Sequence, residues 1–269
     1  MRLAHRTAVV TGAAGGIGRG IALALARRHC DLALADIDES GLTHTAELVA
    51  RYGVKVSPHR LDVADAAAVA AFPSIVQAAH PGVDLLVNNA GVALGGMFEQ
   101  VSDSDFEWLW SINFQGVVRM TRAFLPLLRA SDDARLVNLS SIFGLLAPPG
   151  QTAYVASKFA IRGFSESLRH ELQGSHVGVT VVLPGGVATA IADRARIAAS
   201  IPPEEAARAR AEFRKWLKLS PAIAGETIVR GIERRQARIL VGRDAQALAL
   251  LERLAPVAHW MLIERLMRR

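Results

Sequence analysis

Residues 7–18 read Thr7-Ala8-Val9-Val10-Thr11-Gly12-Ala13-Ala14-Gly15-Gly16-Ile17-Gly18. A short apolar run leads into glycines, and a helical stretch from Arg19 to His29 follows. Gly12, Gly16 and Gly18 keep a G-x-x-x-G-x-G spacing, a relative of the dinucleotide fingerprint G-x-G-x-x-G. Glycines let the backbone turn sharply and approach a pyrophosphate, which then meets the free N–H groups of a helix N-terminus. An ordinary strand-to-helix turn has the same outline. A strand before and a helix after the glycines favour nucleotide binding.

The next strand, Asp31-Leu32-Ala33-Leu34-Ala35-Asp36, ends in an acid. A carboxylate there hydrogen-bonds a ribose 2′-hydroxyl and repels a 2′-phosphate. Ile37, Asp38 and Glu39 add no base, and Ala14 offers no charge, so the expected cofactor is NAD(H), not NADP. The alternative is that Asp36 only caps the following helix.

Further strand-like runs lie at 54–59, 83–88, 134–140, 177–183 and 238–241. The central ones are apolar on both faces, which suits a parallel sheet covered on both sides. Helical stretches near 16–29, 40–52, 65–79, 103–130, 152–173 and 221–236 supply the crossovers. No repeat or low-complexity linker divides the chain. The expectation is an α/β, doubly wound parallel sheet of about seven strands in a single domain over 1–243.

Composition supports this. The chain has 269 residues, of which 51% are hydrophobic, enough for one sizeable core. Cys30 is the single cysteine, so no internal disulfide forms and it reads as a buried small hydrophobe. No metal is expected. With no signal segment before the first strand and no long apolar run, the expected location is cytoplasmic. The formal charge of +6 is spread over dispersed bases interleaved with acids, which argues against nucleic acid as a partner.

Tyr154 and Lys158 stand four residues apart, on one face of a helix, and Ser141 lies thirteen residues before Tyr154. A free tyrosine, with a pKa of about 10, is a poor acid/base catalyst at neutral pH. Lowering it to near 7 takes roughly 4 kcal/mol, which one cation about 4 Å away supplies at an effective dielectric of about 20. Such a pair is common by chance, but here it follows a glycine-rich nucleotide loop in the same chain.

With Gly12–Gly18, Asn88-Asn89-Ala90-Gly91, Asn113, Ser141, Tyr154, Lys158 and Pro184-Gly185 in view, the chain resembles the short-chain dehydrogenase/reductase superfamily over about residues 5–190. The resemblance implies a Rossmann-type fold and an Asn-Ser-Tyr-Lys tetrad. In it Tyr154 is the acid/base, Ser141 orients the substrate oxygen and Asn113 holds a water in the proton relay. Lys158 binds the nicotinamide ribose and lowers the Tyr154 pKa. The thirteen-residue gap selects Ser141 over Ser140. Asp62 and Val63 match the adenine contact, and Asn88 to Gly91 match a brace beside the cofactor. Pro184, Gly185, Val187 and Thr189 match the contact to the nicotinamide end.

Ligands of this fold sit at the carboxyl ends of the strands. The residues expected at the substrate are Leu94, Ile142, Phe143, Gln151 and Gly186, a mainly apolar set that suits a hydrophobic alcohol or ketone. Residues 188–220 are too long for a plain connection and are expected to form a helical lid. The tail 244–269 carries Leu248, Leu251, Leu254, Trp260 and Ile263 among Arg253 and Arg265, with Pro256 splitting it into two helices. Packing on its own domain or a partner subunit is favoured over peripheral contact with an anionic membrane. The resemblance also implies a homodimer or homotetramer built through 103–130 and 152–173. Two other functions stay open: reduction of a β-ketoacyl thioester, and a non-catalytic dinucleotide sensor or interaction protein.

Overall fold

The computed structural model describes residues 1–267. The first half runs β1 (Thr7–Thr11), α1 (Gly16–Ala26), β2 (Asp31–Asp36), α2 (Glu39–Ala50), β3 (Val56–Arg60), α3 (Ala66–Ala79) and β4 (Leu85–Asn88). The second half begins with β5 (Leu94–Gly95), α4 (Asp103–Trp110), a π-helical turn Ser111–Gln115, α5 (Gly116–Ala130), β6 (Ala134–Leu139), α6 (Thr152–Glu171) and β7 (Val177–Pro184). It ends with β8 (Arg196–Ile197), α7 (Pro203–Trp216), α8 (Pro221–Glu233), β9 (Arg238–Val241), α9 (Arg243–Leu254) and α10 (His259–Met267).

Seven strands form one parallel sheet in the order β3-β2-β1-β4-β6-β7-β9. This is the doubly wound, Rossmann-type, single-domain sheet expected from the sequence. The chain winds outward from β1 in one direction and from β4 in the other, so a crevice opens between them at the C-terminal ends. Side chains at β1, β4 and β6 are buried along their whole length. On one face Ile21 and Leu25 of α1 pack with Ile228, Val229 and Ile232 of α8. On the other, Phe72 of α3 meets Phe124 of α5 edge-on at 5.6 Å. Short polar side chains start the helices: Asp38 accepts from Gly41 N, Asp65 from Ala67 N and Ala68 N, and Ser220 from Ala222 N ahead of Pro221.

Two details depart from the sequence expectation. The helix anticipated over 103–130 is interrupted at Ser111–Gln115, where Gly116 N donates five residues back to Ser111 O. The segment 188–220 contributes a two-residue strand, β8, which pairs in parallel with β5 through Leu94↔Arg196 and Gly95↔Ile197 before α7 begins. The tail from 244 packs on the domain, one of the two placements the sequence favoured: Ala245 is buried among Ile142, Leu145, Leu146 and Leu183, and Leu248 and Ile263 pack against them. The last two residues of that tail lie outside the described residues. Among the described residues no helix is long and apolar enough to cross a membrane.

The α1–α8 crossing rests on contact between backbones. A Cβ at Gly225 would overlap Gly20 and lie 2.6 Å from Ile21 N. Alanine is the better helix former by about 1 kcal/mol, whereas overpacking a filled core costs about 1–3 kcal/mol. Because the clash is with backbone, the cost falls at the upper end, about 2–3 kcal/mol, and Gly225→Ala should lower stability by about 1–2 kcal/mol in urea unfolding. Unchanged stability would show that the two helices separate at no cost.

Candidate active site

The glycine loop sits at the mouth of the β1–β4 crevice. Gly12 has φ +65° and Gly16 φ +52°, both left-handed conformations that only glycine adopts without strain. Gly18 allows α1 to start against Gly12 O, where any Cβ would collide. Thr11 Oγ1 accepts from Asn89 N at 3.0 Å and Ala90 N at 3.1 Å. Asn89 Nδ2 donates to Thr11 O at 2.9 Å and Gly12 O at 3.0 Å. Asn89 and Ala90 thus brace the loop, while Ile17 packs beneath it on the core. Asn88 points away into the core, where its Nδ2 donates to Asn138 Oδ1 at 2.9 Å and to Thr121 Oγ1.

The start of α1 fits an anion. Gly15 supplies no side-chain cap and the first turn holds no acid. The N–H groups there have no side chain to satisfy them, which suits a pyrophosphate. Asp36, at the end of β2, accepts from Ala14 N at 2.8 Å and Asp38 N at 3.0 Å. Its carboxylate is therefore fixed beside the glycine loop. Asp62 and Val63 follow β3: Asp62 accepts from Ala64 N at 2.9 Å, and Val63 is buried against Gly116.

The proposed chemistry sits on α6 and the end of β6. Ser141 begins a turn in which its Oγ accepts from Phe143 N at 3.2 Å, and it also hydrogen-bonds Tyr154. Ser140 turns the other way and donates to Lys158 O at 2.8 Å, pinning α6 to the sheet. The Lys158 ammonium lies 5.4 Å from the Tyr154 ring centroid and donates to Leu139 O at 3.2 Å. Asn113 lies in the middle of the π-helical turn and is fully buried. Its Oδ1 accepts from Val92 N at 2.8 Å, and its Nδ2 donates to Val92 O at 3.0 Å and to Ser157 Oγ. A Cβ at Gly91 would lie 3.2 Å from Asn113 Oδ1 and 3.5 Å from Lys158 Nζ, so both side chains converge on that glycine.

The electrostatics correct one expectation. The phenol of Tyr154 is not brought towards 7: burial pushes it up to about 12, and the hydrogen bond from Ser141 offsets only part of that. Burial also pushes Lys158 down to about 8. Tyr154 is 9% exposed and Lys158 5%, and desolvation disfavours each charge. In the protein by itself, burial outweighs the pull of one ammonium that is already engaged with a carbonyl.

Around Tyr154 the wall is apolar. Leu94, Leu109 and Ala153 are buried beside it, with Val92, Phe106 and Ile191 packed against them. Phe143 meets the Tyr154 ring edge-on at 6.1 Å, and Phe213 of α7 packs on Phe143 at 6.5 Å. Gln151 starts α6, with its Nε2 3.7 Å from where a Gly95 Cβ would stand. Ile142 does not face this wall; it is buried in the cluster with Ala245 of α9. Gly186 is a crossing point of two backbones, since its O accepts from Lys218 N and Leu219 N at 2.9 Å. Pro184 and Gly185 close β7, Val187 bridges to Leu219, and Thr189 leans over Gly16 with its methyl 3.0 Å from an added Cβ. Arg194 then pairs with Asp38 at 3.2 Å, so this segment spans the glycine loop.

Sequence reasoning did not single out Ser157 or Thr11. Thr11 stood inside the opening motif, where a hydroxyl beside the first glycine was the available signal. Ser157 had none beyond its residue type, whereas Phe213 stood among the apolar residues of the segment expected as a lid.

Comparison with known proteins agrees with this geometry. Residues 6–199 match the short chain dehydrogenase family model. A Mycobacterium tuberculosis protein designated an oxidoreductase, SadH, is 44% identical over 262 residues, covering 96% of this chain and 94% of that protein. The Escherichia coli oxidoreductase UcpA is 40% identical over 193 residues, 71% of this chain and 73% of its own. Among solved structures, a Burkholderia phymatum short chain dehydrogenase/reductase in complex with NAD superposes with TM-score 0.87 at 31% identity, covering 95% of each chain. A Thermococcus sibiricus alcohol dehydrogenase complexed with 5-hydroxy-NADP gives TM-score 0.73 at 28% identity, over 88% of this chain and 95% of that one. With a family model matching most of its length and a relative of similar length at this identity, the chain belongs to the short-chain dehydrogenase/reductase family of oxidoreductases.

Proposed function

We propose that this oxidoreductase interconverts a hydrophobic secondary alcohol and its ketone, using NAD(H), with Tyr154 as the acid/base. The observation that carries the reading is the buried phenol of Tyr154, hydrogen-bonded by Ser141, flanked by Lys158 and walled by Leu94 and Phe143.

A nicotinamide dinucleotide, when bound, supplies or accepts the hydride. The chain's own residues hold it and manage the proton. The free N–H groups at the start of α1 receive the pyrophosphate, and Asp36 receives the adenosine ribose hydroxyls. Lys158 supplies a cation beside the nicotinamide ribose. In reduction, the Tyr154 phenol donates its proton to the forming alkoxide oxygen, which Ser141 steadies by a hydrogen bond. In oxidation, the phenolate takes the hydroxyl proton. Burial at about 12 keeps Tyr154 protonated at neutral pH, the form that reduction needs. The apolar wall favours a hydrophobic substrate over a sugar or carboxylate. The choice of NAD over NADP rests on Asp36, whose carboxylate, held beside the glycine loop by Ala14 N and Asp38 N, would accept from ribose hydroxyls and repel a 2′-phosphate. An apolar groove between α4, the π-helical turn and α6, lined by Phe106, Trp110 and Ala156, supports assembly as a homo-oligomer through these helices.

Tyr154→Phe should leave NADH binding within about twofold while lowering turnover of an aliphatic or aryl alcohol by about 100- to 10,000-fold. Turnover at the wild-type rate would remove Tyr154 from the mechanism. In equilibrium titrations NADH should bind more tightly than NADPH, and Asp36→Ala should narrow the gap. Tighter NADPH binding by the wild-type protein would overturn the argument from β2. Reduction kcat/KM should stay level through neutral pH and fall only as the phenol ionises, whereas oxidation should rise with pH. Lys158→Met removes the cation that favours phenolate, so the oxidation limb should move further alkaline. A folded variant with an unmoved limb would show that Lys158 does not act on Tyr154.

A further inference from the structure

We propose that Asp244, the second residue of α9, positions the Gly185–Gly186 turn for the nicotinamide end of the cofactor; this rests on the cofactor reading above. Asp244 Oδ2 accepts from Gly186 N at 2.7 Å, a contact between residues 58 apart in sequence. A Cβ at Gly185 would overlap the whole carboxylate, so the side chain fills the space that this glycine leaves. At Gly242, with φ +103°, an added Cβ would also strike Asp244 Oδ1. The carboxylate is thus held between the end of β7 and the end of β9, two paired strands, with Pro184 opposite Val241.

Position gives this contact its meaning. β7 lies next to β6, and Ser140 N donates to Val182 O, so the turn after β7 emerges beside Ser141. The Gly186 carbonyl is taken up by Lys218 N and Leu219 N, and its amide by Asp244. Both backbone polar groups of Gly186 are therefore held by segments that follow the family-matched residues 6–199. Ala245, the next residue, is buried against Ile142, Leu145 and Leu146, so the same helix also backs the loop that follows Ser141. An acid in the first turn of a helix also has a simpler use, which is to favour the helix dipole. The two roles differ in which ligand they affect.

The test is equilibrium binding of two ligands, NADH and ADP-ribose, the second lacking the nicotinamide. Asp244→Ala should weaken NADH binding about fivefold, a typical loss for one charge-assisted hydrogen bond partly open to water, and leave ADP-ribose binding within twofold. Asp244→Asn keeps an acceptor oxygen and should restore NADH binding to within about twofold of wild type. Asp244→Glu moves the acceptor by one methylene and should behave like the alanine variant, so the outcome does not depend on Asp244→Ala folding. Equal weakening of both ligands would assign Asp244 to helix stability and overturn the proposal. NADH binding unmoved in all three variants, or an asparagine variant as weak as the glutamate one, would also overturn it. A wild-type protein that bound neither ligand would sink the cofactor reading together with this role. Wild-type binding with unmoved variants would sink the role of Asp244 alone.

Discussion

Parallel pairing is the constraint on which the rest depends. β1, β4, β6 and β7 run in one direction, so the loops after Thr11, Asn88, Leu139 and Pro184 all leave the sheet at the same end. Each loop contributes a different part of the site: an anion cradle, a brace, a hydroxyl and a backbone turn. The crossovers that parallel strands require carry the remaining groups. α6 joins β6 to β7 and brings Tyr154 and Lys158 over the C-terminal end of β6. Reversing one strand would send its loop to the other end and separate groups that must lie within a few ångströms.

The placement of Tyr154 and Lys158 has an electrostatic consequence. Both are nearly excluded from water, and both are pushed towards their neutral forms. A polar group buried without partners costs several kcal/mol, and the site limits that cost by pairing each one. The ammonium has Leu139 O, the phenol has Ser141, and the Asn113 amide is shared between Val92 and Ser157. The π-helical turn that carries Asn113 breaks a long helix at the one place where it must reach towards Gly91. π-turns inside helices recur at functional positions, and this one sets the side chain beside Lys158.

The segment after β7 does more than connect elements. It lays Thr189 on the glycine loop, ties Arg194 to Asp38, adds β8 to β5, and ends in α7, whose Phe213 covers Phe143. Its two ends meet where Val187 bridges to Leu219. Such a loop, closed at its base and crossing the glycine loop, ties the apolar wall around Tyr154 to the turn after β7. The Arg196 guanidinium stacked 3.6 Å over the Trp108 ring anchors it to α4.

Much of this was legible in the sequence because the signals are local. The apolar runs, the glycine spacing, the acid at Asp36 and the four-residue step from Tyr154 to Lys158 each depend on neighbours along the chain, and each appears where it was expected. The sequence also separated Ser141 from Ser140 through a spacing. Other features were decided by contacts between distant segments. Ile142 and Phe143 are adjacent and both apolar, and both pack on the cluster that holds Ala245 of α9, yet of the two only Phe143 also reaches the Tyr154 ring. Asn113 in the π-helical turn is tied to the distant Val92 and Ser157, and the clasp of Asp244 on Gly186 joins two loops that the sheet brings side by side. The rise in the Tyr154 pKa could not be read from spacing at all: Lys158 was visible four residues away, but desolvation is set by everything packed around the phenol. Local pattern therefore determined which elements form and which side chains stand near one another on them. Tertiary packing decided how those residues face, how deeply they are buried and what charge they favour, since those depend on neighbours that the sequence does not place together.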